Sequence, residues 1–273
     1  MIRGDIQAWS VAAEISIAFQ PIVSVTQNRI AIYGYEALAR DSGGACPPLL
    51  AGACASEEVY ALNFHCQRLA LMTASVMGLP ASLAMNVMPG VICHPRYGIR
   101  EIMYFAQEIG FPINRIILEI TELERVPDYR PLRRHIDEFR QEGLRVALDD
   151  FGTGFNGLNT LLELRPDIIK IDMALIRKIE TDRDRQALLF GICSGGERLG
   201  MKLVAEGIET LDTVKILSRE NIDLMQGYLF ARPQIGVLPT VDPATREQVA
   251  RMFATLPCPA PAGDAAGAPA LCQ

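Results

Sequence analysis

Apolar and polar positions follow two different periods along this chain. Short apolar runs typical of strands alternate with longer stretches whose apolar residues recur at helical spacing. Two apolar runs at the start, 15–25 and 30–38, flank a turn at Gln27 and Asn28 and predict a hairpin. Further strands are predicted at 82–87, 115–120, 144–150, 167–172, 201–206 and, weakly, 222–228, with helices near 58–77, 98–110, 129–142, 157–163, 183–199, 210–220 and 243–254.

This alternation of strands and helices indicates parallel βαβ units and an α/β fold. Eight strands in roughly 240 residues match a (β/α)8 barrel, for which about 250 residues is typical. A doubly wound open sheet is the second reading. No GxGxxG motif follows the first strand, and this disfavours the dinucleotide-binding form of that fold.

The chain divides into three unequal segments by composition. We expect residues 1–13 to form a short N-terminal segment and residues 14–256 to form one folded domain. The last 17 residues, 257–273, are rich in proline, alanine and glycine, and contain little that a core could bury. We therefore expect that tail to be disordered.

Charge, hydropathy and cysteine use exclude several classes of partner. The formal net charge of −6 argues against a partner that is a nucleic-acid polymer, which needs a basic surface. No apolar run reaches the roughly 18 residues of a membrane span, so we expect the protein not to have a membrane as a partner. The seven cysteines have neither CxxC nor zinc-ligand spacing, which favours reduced thiols and a cytoplasmic location.

Nearly every predicted strand ends in a residue that can bind a cation or a phosphate. Because the carboxyl ends of barrel strands meet at one face, these side chains should converge there. An acidic pair at a strand end is commonly only a turn or a helix cap, but that reading predicts no repetition at strand after strand. The residues concerned are Glu36 with Arg40 beyond it, Asn86, Glu119, Asp149, Asp150, Lys170, Glu206 and Gln226.

Five of these side chains are carboxylates, and such a cluster needs positive charge to remain ionised. Oxygen ligands alone suit hard cations, so we predict two divalent cations, Mg²⁺ or Mn²⁺. One aspartate of the pair Asp149 and Asp150 could bridge both cations while the other binds one of them.

At this point the motifs resemble those of the EAL family of cyclic-di-GMP phosphodiesterases. The similarity runs in order along nearly the whole folded chain, which makes it far more specific than any single motif. The matching segments are "FQPI" (19–22), "YEALAR" (35–40), "MNVMP" (85–89), "LEITE" (118–122), "LDDFGTG" (148–154), "IKID" (169–172), "AEGIE" (205–209) and "QGYLFARP" (226–233).

The resemblance implies a TIM-like barrel whose first strand is antiparallel to the rest, and hydrolysis of cyclic-di-GMP to linear pGpG. It implies that Glu36, Asn86, Glu119 and Asp149 bind one metal and that Asp149, Asp150 and Glu206 bind the second. Lys170 matches a lysine that orients the attacking water, and Glu206 is one candidate for taking its proton. Gln226 matches a glutamine at the rim of the site, and Arg40 matches an arginine that contacts substrate phosphate. Glu122 matches a glutamate that holds the loop after the aspartate pair. Asp172 and Glu209 match positions that support the ligands and the substrate.

Three functions remain possible at this stage. The intact set of ligand residues favours an active phosphodiesterase over an inactive receptor that binds cyclic-di-GMP or a protein partner. A different Mg²⁺-dependent barrel acting on a carboxylate substrate fits the acidic residues alone, but the ordered motifs disfavour it. By resemblance we also expect a homodimer formed through a helix near the loop that follows Asp150.

Overall fold

The chain folds into a closed barrel of eight strands with helices around it. The computed structural model describes residues 15–26, 29–51, 56–120, 128–152 and 157–255. The barrel strands are β1 (Ser16–Thr26), β2 (Arg29–Arg40), β3 (Ser82–Val87), β4 (Ile116–Ile120), β5 (Arg145–Phe151), β6 (Ile168–Ile171), β7 (Lys202–Ala205) and β8 (Leu224–Met225).

Strand β1 closes the barrel and runs opposite to its neighbours. It pairs antiparallel with both β2 and β8, whereas every pairing from β2 through β8 is parallel. Closure excludes the doubly wound open sheet. The prediction of an α/β barrel with an antiparallel first strand is therefore confirmed. A ninth short strand, β9 (Gln234–Ile235), pairs antiparallel with Ala18 and Phe19 of β1 and was not predicted.

The long helices begin and end within two residues of the predicted positions. Four short helical segments were not predicted, because one turn leaves too few residues to show a helical period. Among the described residues, no helix combines the length and apolarity needed to cross a membrane. The helices are Pro48–Ala51, Glu57–Val76, Pro89–Ile92, Ile99–Glu108, Ile113–Arg115 (a 3₁₀ turn), Tyr129–Arg140, Gly157–Leu164, Met173–Ile176, Arg183–Arg198, Leu211–Arg219 and Pro243–Thr255.

Helix Ile99–Glu108 illustrates how the outer layer packs. Its buried residues are Ile99, Ile102, Met103 and Ala106, which occupy one stripe at helical spacing. That stripe joins a large apolar cluster between the barrel wall and the helices, which includes Leu83 and Ile116 of the strands. A second such cluster covers the side of the barrel formed by β6, β7 and β8.

A separate apolar layer fills the inside of the barrel. Side chains alternate along a strand, so the residue two positions after each member of this apolar layer also points inward. From β3 to β8, that residue is one of the polar residues predicted at the strand ends. The polar residues therefore form a second layer, nearer the carboxyl ends of these strands than the apolar one. The apolar layer consists of Ile22, Ala84, Ile117, Ala147, Ile168, Val204 and Leu224.

Candidate metal centre and active site

The polar layer at the barrel mouth is assembled by strand register. Asn86 pairs with Glu119 across β3 and β4, and Gln20 pairs with Glu36 across β1 and β2. Glu206 lies just past the end of β7, where its backbone N–H donates to the carbonyl of Ile171. The layer is largely buried, and Glu119 is only 1% exposed.

Lys170 occupies the centre of this layer and contacts four carboxylates. Its Nζ lies 2.8 Å from Glu206 Oε1, 2.9 Å from Asp149 Oδ1, 3.1 Å from Glu119 Oε1 and 3.4 Å from Glu36 Oε2. The side chain is 2% exposed, so water contributes little to its solvation. The four carboxylates therefore supply the charge that allows a buried ammonium to persist.

The carboxylates do not respond equally to this environment. Burial raises the pKa of Glu119 well above its usual range, and the nearby Glu36 carboxylate raises it further. Burial also opposes ionisation of Glu36, but Lys170 and the amides of Gln226 and Asn86 hold its pKa below the usual value. Burial disfavours the Lys170 ammonium, yet the carboxylates, Asp149 foremost, hold its pKa well above the usual value. In a cluster with more acids than bases, burial thus opposes ionisation strongly at the most buried carboxyl group, Glu119.

A bulge at the end of β5 brings the two adjacent aspartates to one site. The register with β6 shifts between Leu148 and Phe151, so one extra residue is accommodated in β5. Asp150 has a φ of 54°, a left-handed conformation that aspartate tolerates better than most residues. As a result, carboxylate oxygens of Asp149, Asp150 and Glu206 lie within 4.8 Å of one another.

Two carboxyl groups of this trio have raised pKa values. Burial, followed by the charge of Asp149, raises the pKa of Asp150 to about 6. Burial likewise raises the pKa of Glu206 to about 7, although Lys170 acts in the opposite direction. Asp172 lies close enough for its charge to add to the rise at Asp150. Added positive charge would favour ionisation of both Asp150 and Glu206 near neutral pH.

The donor set fits hard divalent cations. Glu119 Oε2 is buried without a hydrogen-bond partner, and Asp149 Oδ1 meets Lys170 outside hydrogen-bond geometry. Both oxygens are available as ligands. Every predicted ligand atom, whether from a carboxylate or an amide, is an oxygen, which is what Mg²⁺ and Mn²⁺ prefer. Five carboxylates and one ammonium leave four formal negative charges, which two divalent cations would balance. The carboxylates are Glu36, Glu119, Asp149, Asp150 and Glu206.

Amide side chains hold the ligands from behind. Asn86 Nδ2 donates to Glu36 Oε1 at 3.1 Å, which leaves the Asn86 carbonyl oxygen as its possible ligand atom. The backbone carbonyl of Asn86 accepts from Gln67 Nε2 at 3.0 Å and from Asn63 Nδ2 at 3.4 Å. Gln67 and Asn63 are buried polar residues on an otherwise apolar helix face. Sequence analysis missed both, although a polar pair spaced by four on such a face was a usable signal.

Two cavities adjoin the acidic layer. One, of about 280 Å³, is lined by Arg40, Asn86, Asp149 and Asp150 among others. The other, of about 290 Å³, is lined by Lys170 and Glu206 together with Glu209, Gln226 and Tyr228. Arg40 and Glu209 thus line different cavities, and Asp149 and Asp150 line both of them.

Two of the predicted site residues need separate mention. Asp172 caps the helix Met173–Ile176 by accepting from the backbone N–H of Ala174 at 2.6 Å, so its place also has a structural reason. Glu122 lies outside the described residues, and its predicted role in holding the loop stays a prediction.

Comparison with known proteins decides the family. The family model described as "EAL domain" matches residues 5–233. This chain belongs to the EAL domain family. The ordered motifs are the features by which the sequence had been placed there, and the barrel with its reversed first strand is what that resemblance implied.

Solved EAL structures resemble the whole described barrel. A standalone EAL protein from Vibrio cholerae O395, in a c-di-GMP-bound form, is 33% identical, with a TM-score of 0.75 over 85% of this chain and 97% of that one. BlrP1 from Klebsiella pneumoniae, in a manganese and cyclic-di-GMP complex, is 31% identical, with a TM-score of 0.75 over 84% of this chain and 58% of that one.

Among curated relatives, the probable cyclic di-GMP phosphodiesterase PdeD of Escherichia coli is 40% identical over 124 residues, which is 45% of this chain and 23% of that one. The chain spans about a quarter of the length of the first curated relatives that it matches.

The EAL domain also contains a buried residue that sequence analysis passed over. Gln20, in the "FQPI" segment, is 8% exposed and contacts Gln226 within the polar layer. A glutamine in the middle of the apolar run of β1 was the available signal. It was read as part of a family motif and given no role.

Proposed function

We propose that this EAL domain is a phosphodiesterase that uses two divalent cations, Mg²⁺ or Mn²⁺, to hydrolyse cyclic-di-GMP to linear pGpG. The observation that carries the proposal is the convergence of four carboxylates on the buried Lys170, with Asp150 beside them and with Glu119 Oε2 left without a hydrogen-bond partner. Structural acidic residues at a barrel mouth would not need an excess of four negative charges. Solved relatives crystallised with c-di-GMP, one of them with manganese, support the choice of ligand and cation.

The ligand oxygens divide into two groups that share Asp149. Glu36, Asn86, Glu119 and Asp149 would hold one cation, and Asp149, Asp150 and Glu206 would hold the other. Two adjacent cations supply Lewis acidity to the phosphate oxygens and lower the pKa of an attacking water.

The residues of the chain itself then have distinct tasks. Lys170 offsets the negative charge that develops at phosphorus, and its four contacts fix its Nζ without freedom to rotate away. Arg40 lies at the cavity beside Asp150, where its guanidinium can receive a phosphate. Glu206 has a pKa of about 7, so it can hold a proton near neutral pH.

Product analysis tests this function directly. The purified chain is incubated with cyclic-di-GMP and Mn²⁺ or Mg²⁺, and nucleotides are separated by chromatography, with a chelator as control. We expect pGpG that disappears with the chelator. Binding of cyclic-di-GMP without turnover would instead support the receptor function, and neither binding nor turnover would direct attention to other substrates of metal-dependent barrels.

Three further features complete the proposal. We assign the EAL domain to residues 14–256, and the free thiols of the described cysteines support a cytoplasmic location. We also expect a homodimer. Leu158 and Leu162 lie one turn apart on helix Gly157–Leu164 and are 74% and 64% exposed, next to the segment that follows Asp150. An apolar pair so exposed is typical of a contact surface.

A further inference from the structure

Two buried glutamines form a directed chain of hydrogen bonds behind the acidic layer. Gln20 Nε2 donates to the backbone carbonyl of Ala231 at 3.3 Å. Gln20 Oε1 accepts from Gln226 Nε2 at 3.3 Å, and the same Gln226 Nε2 donates to Glu36 Oε2 at 2.8 Å. The chain therefore links a backbone group on one side of β1 to a predicted metal ligand on the other.

Both ends of this chain are groups that can only accept. A backbone carbonyl has no proton to give, so the NH₂ group of Gln20 must face Ala231 and its oxygen must face Gln226. Glu36 Oε2 already faces the ammonium of Lys170 at 3.4 Å, a group that can only donate, so this oxygen accepts and the NH₂ group of Gln226 must face it. The two requirements agree, because the same NH₂ group also donates to Gln20. Neither amide can be turned over without placing oxygen against oxygen.

The orientation has one consequence for the site. Gln226 Oε1 is fully buried and has no hydrogen-bond partner among the described residues. An unpaired buried carbonyl oxygen costs free energy, and a protein rarely keeps one without a ligand to satisfy it. Gln226 lines the same cavity as Lys170 and Glu206. Its oxygen thus lies unsatisfied in a residue that forms part of the wall of that cavity.

We propose that Gln20 is a positioning residue. It fixes the amide of Gln226 so that Nε2 supports Glu36 while Oε1 remains free to accept a hydrogen bond from the attacking water or from the substrate. This inference rests on the proposed phosphodiesterase function for its catalytic consequence, but the positioning itself does not depend on turnover. Gln20 pairs with Glu36 in the sheet and also lines the cavity that holds Gln226 and Lys170, so the tests below separate an action through Gln226 from a direct contact with substrate.

The first test measures the Gln226 amide and needs no activity. Selective ¹⁵N-glutamine labelling reports each side-chain NH₂ group, and Gln226→Met assigns its signals by their loss. We expect slow exchange of the Gln226 NH₂ protons in the parent chain and much faster exchange in Gln20→Met. Gln186→Met is the matched control, because Gln186 Nε2 also donates to a backbone carbonyl, that of Ile179 at 2.7 Å, but outside the site. Unchanged Gln226 signals in Gln20→Met would overturn the proposal.

Gln20→Glu separates positioning from packing. In its protonated form, which burial beside other carboxylates favours, glutamate keeps the size of glutamine, a donor for the carbonyl of Ala231 and an oxygen that accepts from Gln226, whereas methionine fills the same space without either. Positioning predicts that exchange at Gln226 stays slow in Gln20→Glu and becomes fast in Gln20→Met. A packing role predicts the reverse order, since an apolar side chain suits a buried site better than a carboxylate. For each variant, the two roles predict opposite effects on the exchange rate at Gln226. If one variant fails to fold, the other therefore still decides between them.

The second test is kinetic. Gln20→Met should lower kcat about tenfold with KM within about twofold, the usual scale for removing a group that orients a ligand. If Gln20 acts through Gln226, the double variant with Gln226→Met should be no slower than Gln226→Met alone. Losses that multiply would show that Gln20 acts independently and would overturn the proposal. A parent chain that makes no pGpG would refute the proposed function, and the exchange measurement would still decide the role of Gln20.

Discussion

Asp149 and Asp150 are consecutive in the sequence, yet their carboxylates reach the same site. Successive side chains of a regular strand point to opposite faces, so an unbroken β5 would send one of them away from the barrel mouth. The bulge before Phe151 and the left-handed conformation of Asp150 remove that constraint. As a consequence, two carboxylates of like charge lie close together, and bound cations would offset their repulsion.

Asp150→Asn should separate the charge at the bulge from its backbone conformation. Asparagine tolerates the left-handed region as aspartate does, so the bulge should persist. Without metal at pH 8, we expect the variant to melt a few degrees higher, because an ionised carboxylate with a raised pKa opposes folding. The rise in Tm caused by Mn²⁺ should shrink. The control is Asp184→Asn, at an exposed carboxylate on helix Arg183–Arg198. An unchanged Mn²⁺ effect in Asp150→Asn would contradict the assignment of Asp150 as a ligand.

Cation affinity should increase with pH between about 5 and 8. Burial raises the pKa of Glu206 to about 7 and that of Asp150 to about 6, so below these values a cation must displace protons. For the metal-free chain the sign is opposite. The folded state holds protons that the unfolded state releases, so stability falls as pH rises from about 4 towards 7. Titration calorimetry with Mn²⁺ in two buffers of different ionisation enthalpy would measure the protons released, and a pH-independent affinity with no release would refute the expectation.

Glu36→Gln should abolish most of the hydrolysis while leaving the fold intact. The amide keeps the shape of the side chain, but it removes the charge that pairs with Lys170 and places an NH₂ group among the donors of Asn86 and Gln226. Groups that only orient a metal ligand commonly contribute 10- to 100-fold to activity, so loss of a ligand should cost on the order of 100-fold or more in kcat/KM. Hydrolysis of cyclic-di-GMP within a few-fold of the parent rate in Mg²⁺ would show that Glu36 is not an essential metal ligand.

Lys170→Met should destabilise the metal-free chain and respond strongly to cations. Removing the single buried ammonium leaves carboxylates unpaired, which costs about 3–5 kcal/mol in comparable buried pairs. Saturating Mn²⁺ should recover much of that loss, because the cations supply the missing positive charge. Lys202→Met is the matched control, since that lysine belongs to the adjacent strand β7 and is exposed at its other end. Equal losses of Tm in both variants would show that Lys170 contributes no special charge compensation.

Replacing both Leu158 and Leu162 by glutamate should convert a dimer into a monomer. Each side chain is more than half exposed, so the substitutions should leave the Tm of the subunit within a few degrees. Light scattering coupled to size-exclusion chromatography would measure the mass. Leu188→Glu, at a leucine that is 62% exposed on helix Arg183–Arg198, provides the control. A parent chain of monomer mass, or a double variant that remains dimeric, would refute this surface.

The elements of the fold could be predicted because their signals are local. The short apolar runs of β3 and β5 and the stripe of Ile99, Ile102, Met103 and Ala106 each lie within a few residues of sequence. Where the signal was short it failed. Strand β8 shrank from the predicted 222–228 to Leu224–Met225, and strand β9 was missed, since two residues show no period.

The site was predicted as a set of residues but not as an arrangement. Polar residues at successive strand ends indicated that acids would meet at one face. They did not indicate that Lys170 would contact four of them, or that Glu119 would be the most deeply buried. Those facts depend on how far each strand extends before its end and on the bulge in β5.

The sequence by itself determined the alternation of strands and helices, the chemistry at each strand end and the family to which the chain belongs. All three are written in residue order and in spacings of two to four. The tertiary structure decided which of those side chains touch, which carboxylate is most deeply buried and which way the amides of Gln20 and Gln226 face. Residues 20, 36, 170 and 226 are distant along the chain, and only closure of the barrel brings their atoms within hydrogen-bond distance, where geometry and charge act.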